Sequence, residues 1–242
     1  MNPIYGIRSV FEAINSGKEV EKILIKKGME GANVEQIVQI CHDRHIPVQH
    51  VPVEKLDKLA SGRHQGIVAY IAQIGYIPLE EAIEAALTAH PHPIVLLLDG
   101  VTDIRNFGAI ARTAECAGVS VIILPAKGGA AINADSIRSS AGALLRTRVS
   151  RVPNLRTALY YLKASGFAIV AATEKEGTSI FESNMCGATA IVLGAEDKGI
   201  SSSVLALCNQ KVSIPMQGSI SSLNVSAAAA VILFEVVRQN SL

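Results

Sequence analysis

The sequence lacks paired cysteines and long apolar runs. Its four cysteines, Cys41, Cys116, Cys186 and Cys208, are widely separated, and no two form a Cys-x-x-Cys pair. This spacing argues against a zinc or redox framework and favours reduced, mostly buried thiols in a cytosolic protein. The amino-terminal segment has no apolar core of signal-peptide length, and the apolar runs are too short to cross a bilayer. We therefore expect a cytoplasmic protein with no membrane partner.

A strong excess of one charge is also absent, because the formal net charge is only +1. The charged residues are distributed unevenly along the chain. Residues 136–173 include no acidic residue but six basic ones: Arg138, Arg146, Arg148, Arg151, Arg156 and Lys163. A stretch of one sign favours contacts with phosphate, although an ordinary solvated surface explains it equally well.

The first 73 residues predict a small α/β unit. Apolar residues recur at helical spacing over 7–14 and 34–41. Strands or extended segments are predicted at 22–26, 47–53 and 66–72, with a short helix at 54–60. A unit of this size can just fold alone. We therefore place a domain boundary after residue 73.

Residues 74–93 predict a helical linker that ends in a stiff turn. Pro91 and Pro93 stop the helix and disfavour helical conformation in the residues before them. His90 and His92 lie beside these prolines, where histidine is more typical of exposed linker than of a metal site. We expect no metal.

The remaining residues, 94–242, alternate between strands and helices. Strands are predicted at 94–98, 119–124, 147–152, 167–172, 190–193 and 212–214, and helices at 107–117, 133–144, 154–165 and 201–208. This alternation predicts a parallel sheet covered on both faces. No Gly-x-Gly-x-x-Gly follows the first strand, so the ordinary dinucleotide site is not encoded.

Three polar stretches follow apolar strands of this larger domain, at 98–114, 191–200 and 213–224. Ligands bind outside the carboxyl ends of the strands in an open α/β sheet, so these stretches are expected to converge. The third leads into a helix from Val225 that is apolar on more than one face and should be buried. Ser221, Ser222 and Asn224 either cap this helix or form part of a binding site.

The three stretches carry Asn106-x-Gly108-x-Ile110-x-Arg112, then Leu193-Gly-Ala-Glu196 with Gly199, then Ile214-Pro-Met with Ser219 to Asn224. These resemble the three motifs of the SpoU (TrmH) family of RNA ribose 2'-O-methyltransferases. Three motifs in the same order are far more specific than one. The resemblance covers essentially the whole chain. It is strongest to enzymes that methylate a guanosine ribose in large-subunit ribosomal RNA, with S-adenosylmethionine as the donor.

The resemblance implies an α/β fold with a SPOUT-type parallel sheet and a C-terminal trefoil knot in residues 94–242. The domain before it, residues 1–73, is expected to resemble a ribosomal protein and to bind RNA. Its implied RNA contacts are Tyr5, Arg63, His64 and Gln65. The stretch without acidic residues adds Arg138 and Arg146 of the larger domain as expected RNA contacts. For Tyr5 and for 63–65, the alternative is a pair of ordinary turns. The apolar final helix implies a homodimer through the C-terminal domain.

Roles for individual side chains also come from the resemblance. Arg112 is expected to bind the reacting ribose or its phosphate and to stabilise the developing alkoxide, since a guanidinium is practically never deprotonated. Asn106 would orient that arginine or the ribose, and it could also cap the helix predicted to begin near Phe107.

Glu196 would organise the site, and Asn224 and Ser222 would contact the substrate or support the donor. The implied donor contacts are Gly194, Ile214, Leu223, Met216 and Gly218. Two other functions stay open: the same chemistry on transfer RNA or another ribosomal site, and an RNA-binding assembly factor without turnover.

Overall fold

Hydrogen bonds between strands build two sheets across the residues that the structure describes, which are 3–16, 18–60, 62–71, 74–174 and 176–241 of this computed structural model. The chain divides into two units, Met1–Gly75 with Ile132–Ala134, and Tyr76–Ala131 with Asp135–Leu242. Each sheet is the centre of one unit.

The first unit has four strands in the order β1-β4-β2-β3, with β4 antiparallel to β1 and β2 and with β2 parallel to β3. Its core combines apolar side chains of the sheet with one face each of α1 and α2. Ala72, at the end of the last predicted strand, lies outside the described residues. The elements are β1 (Ile4–Tyr5), α1 (Ile7–Asn15), β2 (Val20–Lys26), α2 (Ala32–Asp43), β3 (Val48–Val51), α3 (Val53–Asp57) and β4 (Ile67–Ile71).

The second unit has a seven-stranded sheet in the order β7-β6-β5-β10-β8-β11-β9, in which all pairings are parallel. The predicted parallel α/β sheet is confirmed. Its elements are α4 (Leu79–Ala89), β5 (Ile94–Asp99), α5 (Ile104–Cys116), β6 (Val121–Pro125), α6 (Ala134–Ser139), β7 (Val149–Val152), α7 (Leu155–Ala164), β8 (Ala168–Ala172), β9 (Thr178–Ser179), β10 (Thr189–Gly194), α8 (Ser202–Leu205), β11 (Gln210–Ser213) and α9 (Val225–Asn240).

Both faces of this sheet are covered. Val95 and Leu97 of β5 belong to a core with α4, α7 and α8, while α5 packs against α9 and α9 against β10. The first five residues of β5 are buried, as expected for a strand between two helical layers. The segment predicted as a linker contains α4, whose Leu79, Ala82 and Ile83 lie in this core. This helix is therefore part of the second unit rather than a free spacer.

The helix predicted over 133–144 is interrupted. α6 ends at Ser139, and a single 3-10 turn follows at Ala143–Leu145. Ala141 and Gly142 between them have φ values of 51° and 83°. Left-handed backbone ends an α-helix because the next amide no longer reaches the carbonyl four residues back. Apolar spacing alone does not reveal this break.

The last helix, α9, is not buried on every side in this chain. Ala229, Ile232, Leu233 and Val236 are buried, but Phe234 is 49% exposed. The predicted burial of this helix is therefore met in the single chain only on the face that packs against the rest of the second unit, and its other face points outward.

Side chains at the carboxyl end of α9 bond to the loop 183–187. Gln239 Oε1 accepts from the Met185 N–H at 2.7 Å, and Asn240 Oδ1 accepts from the Gly187 N–H at 2.8 Å. Gln239 Nε2 also donates to the Ser183 carbonyl at 2.9 Å. These bonds satisfy backbone groups of a loop that has few of its own and fix the end of the helix.

All four cysteines are free thiols. Cys41 is buried and Cys208 half-buried, and burial raises the pKa of each thiol to about 11. Cys116 and Cys186 are exposed, so the expectation of mostly buried thiols is wrong for these two. Each lies near the end of an element, where apolar packing does not reach.

Candidate active site

Strand β10 ends in a tight loop that only glycine can begin. Ala195 and Gly199 pair across this loop, with the Gly199 N–H donating to the Ala195 carbonyl at 2.7 Å. A Cβ on Gly194 would lie 2.1 Å from the Gly199 carbonyl carbon and 2.3 Å from the Ile200 nitrogen. Both neighbours are backbone atoms that cannot move aside cheaply, so close approach of two chain segments explains this glycine.

Three polar side chains from distant parts of the sequence meet beside this loop. Asn106 Nδ2 donates to Glu196 Oε2 at 3.1 Å, and Asn224 Nδ2 donates to Asn106 Oδ1 at 3.0 Å and to Glu196 Oε1 at 3.4 Å. They come from the first turn of α5, the loop after β10 and the start of α9. The expected convergence of the three motif stretches is therefore present, and Asn106, Glu196 and Asn224 are the side chains that meet.

Helix capping explains the orientation of the Asn106 and Asn224 side chains. Asp103, not Asn106, caps α5 by accepting from the Asn106 N–H at 2.8 Å. α5 begins at Ile104, one turn earlier than predicted, so the interpretation of Asn106 as the cap is wrong and its side chain is available for Glu196. Asn224 caps α9: its Oδ1 accepts from the Ser226 N–H at 2.9 Å and the Ser226 hydroxyl at 2.6 Å. The NH₂ of Asn224 must therefore face the other two residues.

Gly108 brings another helix close to α5. A Cβ at this position would lie 2.5 Å from Ser139 Cβ, and Ser139 Oγ donates to the Arg105 carbonyl at 3.2 Å. Ser139 and Asp103 are site supports that the motif comparison missed. Asp103 is of a residue type that is favoured at helix N-caps, whereas nothing local in the sequence identifies Ser139.

A cavity of about 440 Å³ lies against the loop after β10. Of the predicted donor-binding and substrate-binding residues, it is lined by Gly194, Glu196, Ile214, Met216, Ser222 and Leu223. Gly218 is exposed and does not line it. Glu174 and Glu176, beyond the end of β8, are lining residues that the motifs did not indicate. Glu196 connects this cavity with Asn106 and Asn224.

Arg112 is exposed and lies further along α5 than Asn106. Helix geometry places it about 9 Å along the axis and about 120° around it. Among the described residues it has no hydrogen bond or ion pair. Glu196 and Asn224 thus bond to each other and to Asn106, and Arg112 makes no hydrogen bond or ion pair with them among the described residues.

The predicted RNA-binding residues fall in both units. Arg138 forms an ion pair with Asp135, and Arg146 lies 3.8 Å from Glu115, so both have carboxylate partners on the surface. Tyr5, Arg63, His64 and Gln65 belong to the first unit, where the last three line a separate cavity. No metal-binding group of acidic, histidine or cysteine side chains, and no helix able to span a membrane, occurs in the part of the chain that the structure describes.

A parallel α/β domain with its polar residues collected at loops after the strands defines a ligand-binding or catalytic domain of the α/β class. Residues 93–234 match the SpoU rRNA Methylase family, and residues 3–77 match the family described as RNA 2'-O ribose methyltransferase substrate binding.

Relatives of the whole chain agree with this match. A Staphylococcus saprophyticus protein assigned to the TrmH family of tRNA/rRNA methyltransferases is 34% identical over 238 residues, which is 98% of this chain and 96% of the relative. The SpoU methyltransferase AviRb from Streptomyces viridochromogenes, solved with AdoMet, is 25% identical with a TM-score of 0.60 over 98% of this chain and 89% of that one.

A second solved structure, described as A. aeolicus TrmH/SpoU tRNA modifying enzyme, is 30% identical with a TM-score of 0.56. It matches 66% of this chain and 83% of its own. The chain therefore belongs to the SpoU rRNA methylase family. The resemblance stated from the three motifs is confirmed.

Proposed function

We propose that this SpoU-family RNA methyltransferase transfers a methyl group from S-adenosylmethionine to the ribose 2'-hydroxyl of a guanosine in large-subunit ribosomal RNA. The observation that carries the proposal is the bonded cluster of Asn106, Glu196 and Asn224 beside the 440 Å³ cavity. Family membership supports the donor and RNA as the substrate class. The choice of guanosine and of ribosomal RNA rests on the similarity of the motifs.

The cavity fits a positively charged donor. Among the described residues, Glu174, Glu176, Glu196 and Asp197 line it together with the basic Lys198, and apolar side chains such as Ile214 and Leu223 complete the wall. Carboxylates favour a sulfonium, and apolar surface favours the ring of a nucleoside. When bound there, S-adenosylmethionine supplies the electrophilic methyl group. Gly194, Ile214 and Leu223 would hold it, together with Met216.

The bonded cluster positions the reacting groups. Glu196 accepts from both asparagines, so each of its oxygens is used and the loop after β10 is held against α5 and α9. Such a network sets the distance between the cavity and the substrate ribose, on which rate depends steeply. Ser222, which lines the cavity two residues before Asn224, would contact the ribose.

Arg112 would bind the reacting nucleotide. Its guanidinium has no partner among the described residues, and it can hold a phosphate in two parallel hydrogen bonds while stabilising negative charge that develops on the 2'-oxygen. Transfer of the methyl group makes the O–C bond as the S–C bond breaks, and the hydroxyl proton leaves to solvent or a nearby base.

Three broader features belong to the same proposal. The first unit would bind RNA, as the match over residues 3–77 supports. The chain after β10 would thread as a trefoil knot, as the resemblance of the three motifs implies. Two copies would pair through the second unit, where α9 has an exposed Phe234. Bacterial relatives support action in the cytoplasm.

The test is incubation of the protein with methyl-labelled donor and either unmodified large-subunit ribosomal RNA or transfer RNA. Label on a guanosine ribose of the ribosomal RNA is the expected result. Ribose label confined to transfer RNA would move the function to the second substrate class, which the transfer-RNA-modifying relative makes the main alternative. RNA binding without label on either RNA would identify an assembly factor instead.

A further inference from the structure

The first unit contains a cavity of about 450 Å³, distinct from the one beside Glu196. Lys26, Met29, Asp57, Arg63, His64 and Gln65 line it. We infer that this cavity receives a single unstacked guanine of the RNA. The inference rests on the proposed function, in which RNA is the substrate. It adds that a guanine is recognised in the first unit, away from the ribose that is methylated.

His64 is held rigidly in the wall of this cavity. Its Nδ1 accepts from the Gly66 N–H at 3.0 Å, which places the ring proton on Nε2, and Nε2 lies 2.8 Å from Asp57 Oδ1. The side chain is only 13% exposed. The imidazole is therefore a fixed plane, and a nucleobase can stack on such a plane.

Gln65 is held by its carbonyl. Its Oε1 accepts from the Ile7 N–H at 3.1 Å at the start of α1, and its backbone has a φ of 51°. Its Nε2 has no partner among the described residues, so two N–H donors remain available. A non-glycine residue kept in left-handed backbone is uncommon, and this one presents an amide of known orientation.

The remaining groups match guanine better than the other bases. Lys26, Arg63 and the Gln65 amide are donors, and guanine places two acceptors, O6 and N7, side by side. Adenine has an amino group in the place of O6, which a cation repels. Asp57 Oδ2, which has no partner among the described residues, can accept from guanine N1–H or N2–H. Pyrimidines lack N7.

The volume and lining also suit one base rather than a helix. A cavity of this size accepts a nucleoside-sized ligand, and Met29 and Val53 add apolar surface beneath it. Base-specific recognition of RNA mostly targets unstacked bases in loops or bulges, because the major groove of an RNA helix is too narrow for side chains.

The experiment is a titration of the full-length protein with GMP, AMP, CMP and UMP, followed through backbone amide resonances. We expect GMP to shift the amides of Gln65 and Gly66 and to bind at least about 5-fold more tightly than the other three, as one good bidentate pair provides. Asp57→Asn should remove the preference for GMP. The side-chain oxygen of asparagine can still accept from His64 Nε2, but the NH₂ group that replaces Oδ2 cannot accept a hydrogen bond from guanine.

Lys26→Ala should weaken the binding of all four nucleotides. Lys18→Ala, which removes an exposed lysine outside the cavity, should leave their binding unchanged. The inference is overturned if about 10 mM GMP, well above millimolar affinity, leaves the Gln65 and Gly66 amides unchanged. Equal shifts by all four nucleotides, or shifts only around the 440 Å³ cavity, would overturn it too. None of these readouts needs methyl transfer, so failure of the proposed function would be seen separately in the labelling assay.

Discussion

Asn224 and Asn106, 118 positions apart in the sequence, are joined by a 3.0 Å hydrogen bond from Nδ2 of the first to Oδ1 of the second. One residue begins the last helix and the other belongs to the first turn of α5. The bond therefore connects two of the three motifs directly, and Glu196 of the remaining motif accepts from both. Substitutions in this cluster can therefore be chosen to test its effect on activity separately from its effect on stability.

Asn224→Ser tests the network with the helix cap retained. Serine can still cap α9, so the melting temperature should stay close to that of the native protein, whereas alanine should cost about 1 kcal/mol. Loss of the bonds to Asn106 and Glu196 should lower kcat by about 100-fold, the effect of a misplacement near 1 Å. The measurement is methyl transfer under saturating donor and RNA, with thermal unfolding of both variants. Full activity of Asn224→Ser would show that the network is dispensable.

Arg112→Ala should lower kcat by about 100- to 1,000-fold and leave donor affinity unchanged, because one preorganised charge donor is removed. Arg112→Lys keeps the charge but loses the bidentate geometry, so it should recover only part of the rate. Arg105→Ala is the matched control, an exposed arginine on the same helix. If the two alanine variants behave alike, Arg112 has no special role in the reaction.

Gly194→Ala should abolish donor binding, measured by calorimetry. Its Cβ would lie 2.1 Å and 2.3 Å from backbone atoms of the facing loop, which must then move out of the cavity wall. Overpacking of this kind costs about 1–3 kcal/mol or more of stability. Gly75→Ala, an exposed glycine whose added Cβ meets nothing within 4 Å, should change neither property. If Gly194→Ala binds the donor with native affinity, Gly194 has no role in donor binding.

Glu235 makes stability depend on pH in the acid range. Hydrogen bonds from Arg238 lower the pKa of this buried carboxyl to about 2, helped by Gln239 and opposed by burial. A lowered pKa in the folded state means stability that is present above the ordinary pKa of 4.5 and is lost as pH falls through it towards 2.

Glu235→Gln should therefore lower the free energy of unfolding at neutral pH by about 2 kcal/mol, less than the full linkage value because the Arg238 side chain is largely exposed. Its urea-unfolding curve should also change less than the native one between about pH 4.5 and pH 2. Glu84→Gln, at an exposed position on α4, is the control. A native-like acid dependence in Glu235→Gln would contradict this account.

The sequence predicted the parallel sheet because apolar runs such as 94–98 leave few alternatives for a strand covered on both sides. It also predicted that the three motifs would converge, since motifs after strands share one edge, but it placed Arg112 rather than Asn106 beside Glu196 and Asn224. The start of α5 was placed wrongly because Asp103 and Asn106 are both possible caps, and only the backbone distinguishes them. The contact between Gly108 and Ser139 depends on the packing of two helices, which no local pattern encodes.

The break in the helix at Ala141 and Gly142 could not be predicted from the sequence pattern either. A helix ends there because two successive residues take left-handed backbone, and alanine gives no sign of this. Similarly, the outward face of α9 could not be read from composition, because apolar residues on every side predict burial without saying which side the chain itself covers.

The order in which the cluster's members occur along the chain has a consequence for biosynthesis. Asn106 and Glu196 leave the ribosome first, but the bonds from the Asn224 amide to the Asn106 side-chain oxygen and to the Glu196 carboxylate cannot form until the start of α9 has been made. The cluster beside the cavity is therefore completed only when the residue that begins α9 has been synthesised.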